Sequence, residues 1–291
     1  MKKTIGFLGV GLMGHGMAKN VVDKGWPLIV KAHTRHEAVN DLVTRGAREV
    51  QGIGEMVAYC DCIVLCVNSS IEVEAIMAEI FTHVSQTGKG GLCVIDTSTS
   101  EPRSTYALAH KASVMGITYF DAPLSRTPTQ AWEGELTTFV GGPETLWGPW
   151  KDLLDSWSAV VIHAGNDVGT AHAIKLVNNL ISIGYAALWA ECYNMLDALK
   201  IDAKILREVV TNSGMNCLNF QNFSRYPCDG DPNGHKFALK NAAKDIRYYA
   251  EMASTFDVAV PISSAVGSVM KTAISRDMGE RMLPELGGAL K

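Results

Sequence analysis

Residues 4–20 read TIGFLGVGLMGHGMAKN, and the reading of this stretch decides the fold. Ile5 to Leu8 is a short apolar run of the kind that forms a buried parallel strand. It leads straight into Gly9-Val10-Gly11-Leu12-Met13-Gly14 and then into a helical pattern with Met17, Ala18, Val21 and Val22 on one face. Strand, glycine turn and helix in that order make a dinucleotide site. Gly9 permits the tight turn. Gly11 has no side chain, so the backbone can approach a pyrophosphate. Gly14 lets the helix pack close to the strand. The anion then rests on the free N–H groups and positive dipole end of the helix. Gly9, Gly11, Leu12, Met13 and Gly14 are therefore the expected cofactor contacts. The alternative is a glycine-rich turn without a ligand.

Outward from this stretch, Gly25 ends the helix and Leu28 to Val30 form a second strand. An NAD-specific site carries Asp or Glu about 20 residues beyond the glycines, on the ribose 2′-OH. Here the sequence is Lys31-Ala32-His33-Thr34-Arg35-His36, with no acid until Glu37 in the next helix. Lys31, His33, Thr34 and Arg35 suit a 2′-phosphate, which favours NADPH over NADH. A solvated basic turn is the plainer alternative. Helix 37–45 and the return over 46–50 follow, and then a third buried strand, Cys62 to Val67. Val67 and Asn68 at its carboxyl end are further cofactor candidates, and Ser70 is the expected N-cap of a helix over 71–81. Strand 92–96 ends in Thr97-Ser98-Thr99-Ser100-Glu101-Pro102, which sets hydroxyls, Thr99 among them, at the ligand-binding end of an open sheet. Strand 117–122 leads into Pro123-Leu124-Ser125-Arg126-Thr127-Pro128. A hairpin-like return over 137–143 and a last strand over 160–164 complete this half. Alternating strands and helices predict a doubly wound parallel sheet of α/β class.

After Gly165 the pattern is helical almost to the end. The expected division is a Rossmann-type dinucleotide-binding domain over 1–164 and an all-helical substrate and oligomerisation domain over 165–291. Residues 171–198 read as one long inter-domain helix, apolar almost all round, which places it in a core or between subunits. Within it Lys175 and Asn179 stand four positions apart and share a face. A lysine and an amide amid apolar neighbours suggest chemistry, since a partly desolvated lysine exchanges its proton nearer neutrality. A lysine that merely snorkels to solvent is the alternative.

Composition excludes other classes. The chain has 291 residues, 47% of them hydrophobic, with a net charge of -4, which gives no electrostatic footprint for nucleic acid. Apolar runs such as 181–190 are too short to span a bilayer. Met1-Lys2-Lys3 and the apolar run behind it imitate a signal peptide, but glycines interrupt it and no A-x-A-type cleavage site follows. Seven cysteines, an odd number, point to a reducing, cytoplasmic setting. Cys60, Cys62 and Cys66 lie in the strand pattern CDCIVLCVNS with no second ligand pair, and the histidines show no HExxH-type spacing, so no metal is expected.

These elements together resemble the β-hydroxyacid dehydrogenase family, which includes 3-hydroxyisobutyrate dehydrogenase and tartronate semialdehyde reductase. The resemblance rests on GFLGVGLMGHGMAKN at 6–20, DTSTSEP at 96–102, DAPLS at 121–125, the EGEL and GG elements within 133–142, GTAHAIKLVNN at 169–179, and Lys244-Asp245. It covers essentially the whole chain. It implies a homodimer or homotetramer that acts on a small anionic hydroxy acid or aldehyde. It implies that Lys175 is the proton donor and acceptor and Asn179 its supporting amide. Ser125 is then the serine of the substrate loop, with Asn178 and Lys244 also on the substrate. Thr99 and Asp245 fall beside the cofactor.

One departure stands out. Many family members have Ser-Gly-Gly where this chain has Ser125-Arg126-Thr127. A guanidinium there suits bidentate capture of an extra anion, as in the sulfolactaldehyde reductases of the family. Otherwise Arg126 turns outward onto Glu133 or Glu135. An imine reductase predicts a different residue at Lys175, and a non-catalytic NADP-binding module predicts loss of the lysine or the substrate loop. Residues 212–234, with Met215, Asn216, Phe220, Phe223, Arg225 and Tyr226, are expected to line the substrate pocket.

Overall fold

The computed structural model describes residues 2–32 and 36–291. It divides into two compact units, one ending at Lys175 and the other spanning Leu176–Lys291.

The first unit is built on β1 (Ile5–Leu8), α1 (Gly14–Asp23), β2 (Leu28–Val30), α2 (His36–Thr44), β3 (Arg48–Glu49), α3 (Ile53–Tyr59), β4 (Cys62–Leu65), α4 (Ser70–Thr87), β5 (Cys93–Asp96), α5 (Pro102–Val114) and β6 (Thr118–Asp121). Among the described residues these strands form a six-stranded sheet in the order β3-β2-β1-β4-β5-β6, parallel throughout. The continuous apolar runs have a direct cause. Side chains alternate across a strand, and both faces are covered. Cys62 and Val64 join Met17, Val21 and Leu42 on one face, while Ile63 and Leu65 join Val73, Met77 and Ile80 on the other. Each fully buried aliphatic side chain contributes about 1.5–3 kcal/mol. The edge strand β3 is charged and exposed, which discourages pairing with another sheet. Strand order reverses at β1, and ligands of open sheets bind at the carboxyl ends beside such a reversal.

Two local expectations need correction. The helix expected over 71–81 runs Ser70–Thr87, to a left-handed Gly88. Its N-cap is Ser69 rather than Ser70: Ser69 has extended backbone and its side chain accepts the Glu72 N–H. Ser70 is instead buried, and its Oγ accepts the Glu101 N–H at 2.7 Å. Two serines in tandem both qualify by type; the longer-range bond decides between them. Helix α3 carried no distinct sequence signal.

The chain continues through β7 (Leu124–Ser125), α6 (Pro128–Glu133), β8 (Leu136–Gly141), α7 (Glu144–Trp147), α8 (Lys151–Leu154) and β9 (Ser158–Gly165). These strands make a separate sheet in the order β7-β8-β9. β7 pairs antiparallel with β8, Ser125 opposite Thr137, and β8 pairs parallel with β9. The strand at the end of this half thus extends the small sheet, not the large one. Helix α9 (Thr170–Ala198) then begins, and the division between the units falls within it.

The second unit adds α10 (Ala203–Thr211), α11 (Leu218–Asp229), α12 (Leu239–Ala253) and α13 (Pro261–Ser275). Its core gathers Ile183, Ala186, Ala190, Phe220, Phe223, Ile246, Met270 and Leu286. Phe220 and Phe223 therefore belong to this core, and residues 218–229, expected within a loop, are a helix; Phe223 and Tyr226 of that helix also line a cavity of about 270 Å³ within this unit. Along α9 a second apolar stripe, Ile181, Tyr185, Leu188 and Met195, stays exposed. The helix read over 171–198 runs Thr170–Ala198, and by length and composition alone it could cross a bilayer, although its uninterrupted apolar runs looked too short for that. The same length and composition occur in core helices of soluble proteins, and His172, Lys175, Asn178 and Asn179 would be costly in lipid.

Candidate active site

The dinucleotide turn separates its three glycines by what each one answers to. Gly9 has φ +96°, and a Cβ there would lie 2.2 Å from the Cys66 carbonyl oxygen. A Cβ on Gly14 would lie 1.9 Å from the Gly9 carbonyl oxygen. The fold itself demands these two. Gly11 is different, because a Cβ there meets nothing within 4 Å. No protein atom needs that space, and a pyrophosphate does. Helix α1 begins without a side-chain cap on its N-terminal N–H groups. The residues present therefore fit a dinucleotide.

A cavity of about 280 Å³ at this turn is lined by Gly11, Leu12, His15, Glu37, Pro128 and Trp132. His15 holds Asp41 at 2.8 Å and meets the Trp132 ring edge-on at 5.3 Å. Sequence spacing gave no reason to single out His15 or Trp132, and it set Glu37 aside as a helix residue. His33, Thr34 and Arg35, expected on a 2′-phosphate, lie outside the described residues. Val67 donates its N–H to Ser98 Oγ at 3.0 Å, while Asn68 is exposed and bonds the Glu72 carboxylate.

The turn after β5 is held from beneath. Asp96 is fully buried and accepts the Ser98 N–H at 3.0 Å, the Ser100 hydroxyl at 3.1 Å and the Tyr119 hydroxyl at 3.0 Å. Burial first, and the Asp96 carboxylate second, push the Tyr119 hydroxyl well above its usual range, so it remains a donor. Thr99 sits half-buried in this turn.

The loop expected to hold substrate leaves β7 at the half-buried Ser125. Arg126 follows with φ +88°, a conformation that favours glycine. Its side chain is 48% exposed, and Nη1 donates to the Glu135 carbonyl at 3.1 Å, with Glu135 Oε2 at 3.8 Å. This is the outward placement of the two that the sequence left open. Thr127 precedes α6 and bonds Gln130. Helix α6 is fastened to α1: the buried Asn20 donates to the carbonyls of Gly16 and Ala131, each at 2.9 Å. A Cβ on Gly16 would lie 2.6 Å from the Ala131 backbone, so glycine is what lets the two helices touch. The loop after β7 is thereby anchored to α1.

Lys175 stands half-buried in the second turn of α9. In the second unit, Asn179 donates to Asp245 Oδ2 at 2.6 Å, and Lys244 Nζ pairs with Asp245 Oδ1 at 3.1 Å. Asp245 is 2% exposed, and this pairing fixes the Asn179 amide with its oxygen turned away from the carboxylate. Asn178 Nδ2 approaches that oxygen at 3.4 Å. Cys60 and Cys62 are fully buried, and burial pushes the Cys60 thiol up to about 12.

Comparison with known proteins adds the wider context. Residues 4–165 match the family model described as the NAD binding domain of 6-phosphogluconate dehydrogenase. Residues 169–282 match that described as NAD-binding of NADP-dependent 3-hydroxyisobutyrate dehydrogenase. Mitochondrial 3-hydroxyisobutyrate dehydrogenase of Bos taurus is 27% identical, over 96% of this chain and 84% of that protein. The 2-(hydroxymethyl)glutarate dehydrogenase of Eubacterium barkeri is 28% identical, over 96% of this chain and 92% of that protein. A crystal structure of 3-hydroxyisobutyrate dehydrogenase from Salmonella typhimurium superposes with a TM-score of 0.88 at 22% identity, over 99% of both chains, and so has the same fold.

Proposed function

The chain belongs to the β-hydroxyacid dehydrogenase family, and from that premise we propose that it interconverts a small 3-hydroxy acid and its semialdehyde, of the 3-hydroxyisobutyrate or tartronate semialdehyde type. It is an NAD(P)-dependent oxidoreductase. The observation that carries the reading is the pairing of an empty-sided Gly11 at the dinucleotide turn with a half-buried Lys175 on α9. The bound nicotinamide supplies or accepts the hydride. Lys175 gives its proton to the carbonyl oxygen in reduction and takes it from the hydroxyl in oxidation. Ser125 holds the substrate acid group, and Asn179, fixed by Asp245, supports the lysine. NADPH is the preferred cofactor on the basic sequence at 33–35, although Glu37 in the cavity wall supplies an acid of the kind that suits NADH.

One observation favours a narrower alternative. Arg126 keeps a left-handed backbone that glycine would adopt freely, at about 1–2 kcal/mol of strain. Its side chain lies outward on Glu135, the placement that leaves an ordinary acid site, so a second anionic group on the substrate, such as a sulfonate or carboxylate, would be read by Arg126 once released from that exposed contact. The exposed stripe of Ile181, Tyr185, Leu188 and Met195 supports a homodimer or homotetramer that buries it. Unpaired thiols throughout support work in the reducing cytoplasm.

The test is consumption of NADPH and of NADH against a panel of small semialdehydes with one or two anionic groups. Turnover of methylmalonate or tartronate semialdehyde at about 1–10³ s⁻¹ is expected. Preference for the dianionic members selects the narrower reading, and no turnover of any member overturns both.

A further inference from the structure

Three segments of the first unit carry proposed site residues: the turn with Thr99, the strand end leading to Ser125, and the start of the helix with Lys175. All three meet at one buried polar cluster. Asp121, the last residue of β6, is fully buried, and both its oxygens are used. Oδ1 accepts the Gly169 N–H at 2.7 Å and Oδ2 accepts the His172 N–H at 2.8 Å. These are donors at the start of α9 that the helix itself leaves unpaired. A carboxylate there also meets the positive end of the helix dipole.

His172 extends the cluster. Its ring is fully buried, with Nε2 3.1 Å from the Ser98 carbonyl oxygen and Nδ1 2.7 Å from Thr105 Oγ1. A carbonyl only accepts, so Nε2 carries a hydrogen. Ser98 lies in the turn that Asp96 organises. The cluster thus ties α9 to β6 and to the β5 turn at once. The surroundings make room for it: a Cβ on Gly141 would lie 2.4 Å from Asp121 Oδ1. Two buried carboxylates and a buried imidazole are a costly means of starting a helix, when one serine at its N-cap would suffice.

We infer that Asp121 is a positioning residue for proton transfer, with His172 as its second fastening: together they set where α9 presents Lys175 relative to Thr99 and Ser125. The inference rests on Lys175 being the proton donor. Small displacements of a reacting group cost about a hundredfold in rate, so the bolt is expected to appear in kcat and not only in stability.

The experiment compares full-length Asp121→Asn, His172→Ala, His172→Gln and Lys175→Ala with the parent, using the best semialdehyde of the panel. It reads kcat, KM, the solvent deuterium isotope effect on kcat, and NADPH affinity by fluorescence titration. Asp121→Asn is expected to lower kcat about a hundredfold and to raise the solvent isotope effect, with NADPH affinity within about twofold of the parent. His172→Ala is expected to lose about tenfold in kcat. His172→Gln, whose amide still donates to the Ser98 carbonyl, is expected to regain most of that loss. If Asp121→Asn does not fold, the two His172 variants decide. Variants that melt earlier yet keep kcat and the isotope effect overturn the inference while Lys175→Ala remains inactive. An active Lys175→Ala instead overturns the reading of the lysine itself.

Discussion

The dinucleotide turn and the substrate loop each pass through a left-handed residue, and they fill it differently. Gly9 has φ +96° and Arg126 has φ +88°. At Gly9 the neighbouring Cys66 carbonyl leaves no space for any side chain. At Arg126 the side chain projects outward, 48% exposed, onto Glu135. The first position is dictated by the sheet, whose β1 and β4 ends lie side by side. The second is set in a short loop on a small sheet, where sterics permit a choice. On the proposed function, the cofactor would be held by geometry that cannot vary and the substrate met where it can.

The comparison breaks first at Gly9. Gly9→Ala is expected to disrupt the turn and lower NADPH affinity at least about a hundredfold, about 3 kcal/mol, by fluorescence titration. A variant that binds NADPH normally would show that the turn is not fixed by its neighbours. Arg126→Gly sharpens the other side and has a smaller effect. It relieves backbone strain, and the extra freedom of glycine in the unfolded chain opposes that gain, so thermal melting is expected to move by only a few degrees. If Arg126 reads a second anion, KM rises about tenfold for dianionic aldehydes and little for monoanionic ones. Equal KM changes for both would make Arg126 a partner of Glu135 alone.

The same contrast explains what was legible in the sequence. The large sheet could be read because each strand is buried on both faces and leaves a continuous apolar run; β1, β4 and β5 all show it. The glycine turn could be read because its spacing is local, although the Cys66 carbonyl that excludes a side chain at Gly9 comes from the end of β4. Lys175 and Asn179 could be read because a helix period is enough to place them on one face. The small sheet was harder: β9 is largely exposed and β7 has only two residues, so neither leaves a pattern that separates it from the large sheet. The choice between Ser69 and Ser70 turned on a bond to Glu101, thirty-one residues away, and local propensity has no access to that. Asp121 and His172 were within quoted motifs, yet their role depends on Gly169, Ser98 and Thr105 brought together from separate segments. The Asn20 clamp on α6 is of the same kind.

The central claim is that Lys175 handles the proton beside a dinucleotide held at Gly9–Gly14. Its most direct test is single-turnover hydride transfer by Lys175→Ala, with NADPH affinity measured on the same preparation. The account predicts a rate loss of about 10²–10⁴-fold with NADPH affinity unchanged. A variant that transfers hydride within about threefold of the parent rate, with NADPH bound as before, would contradict it.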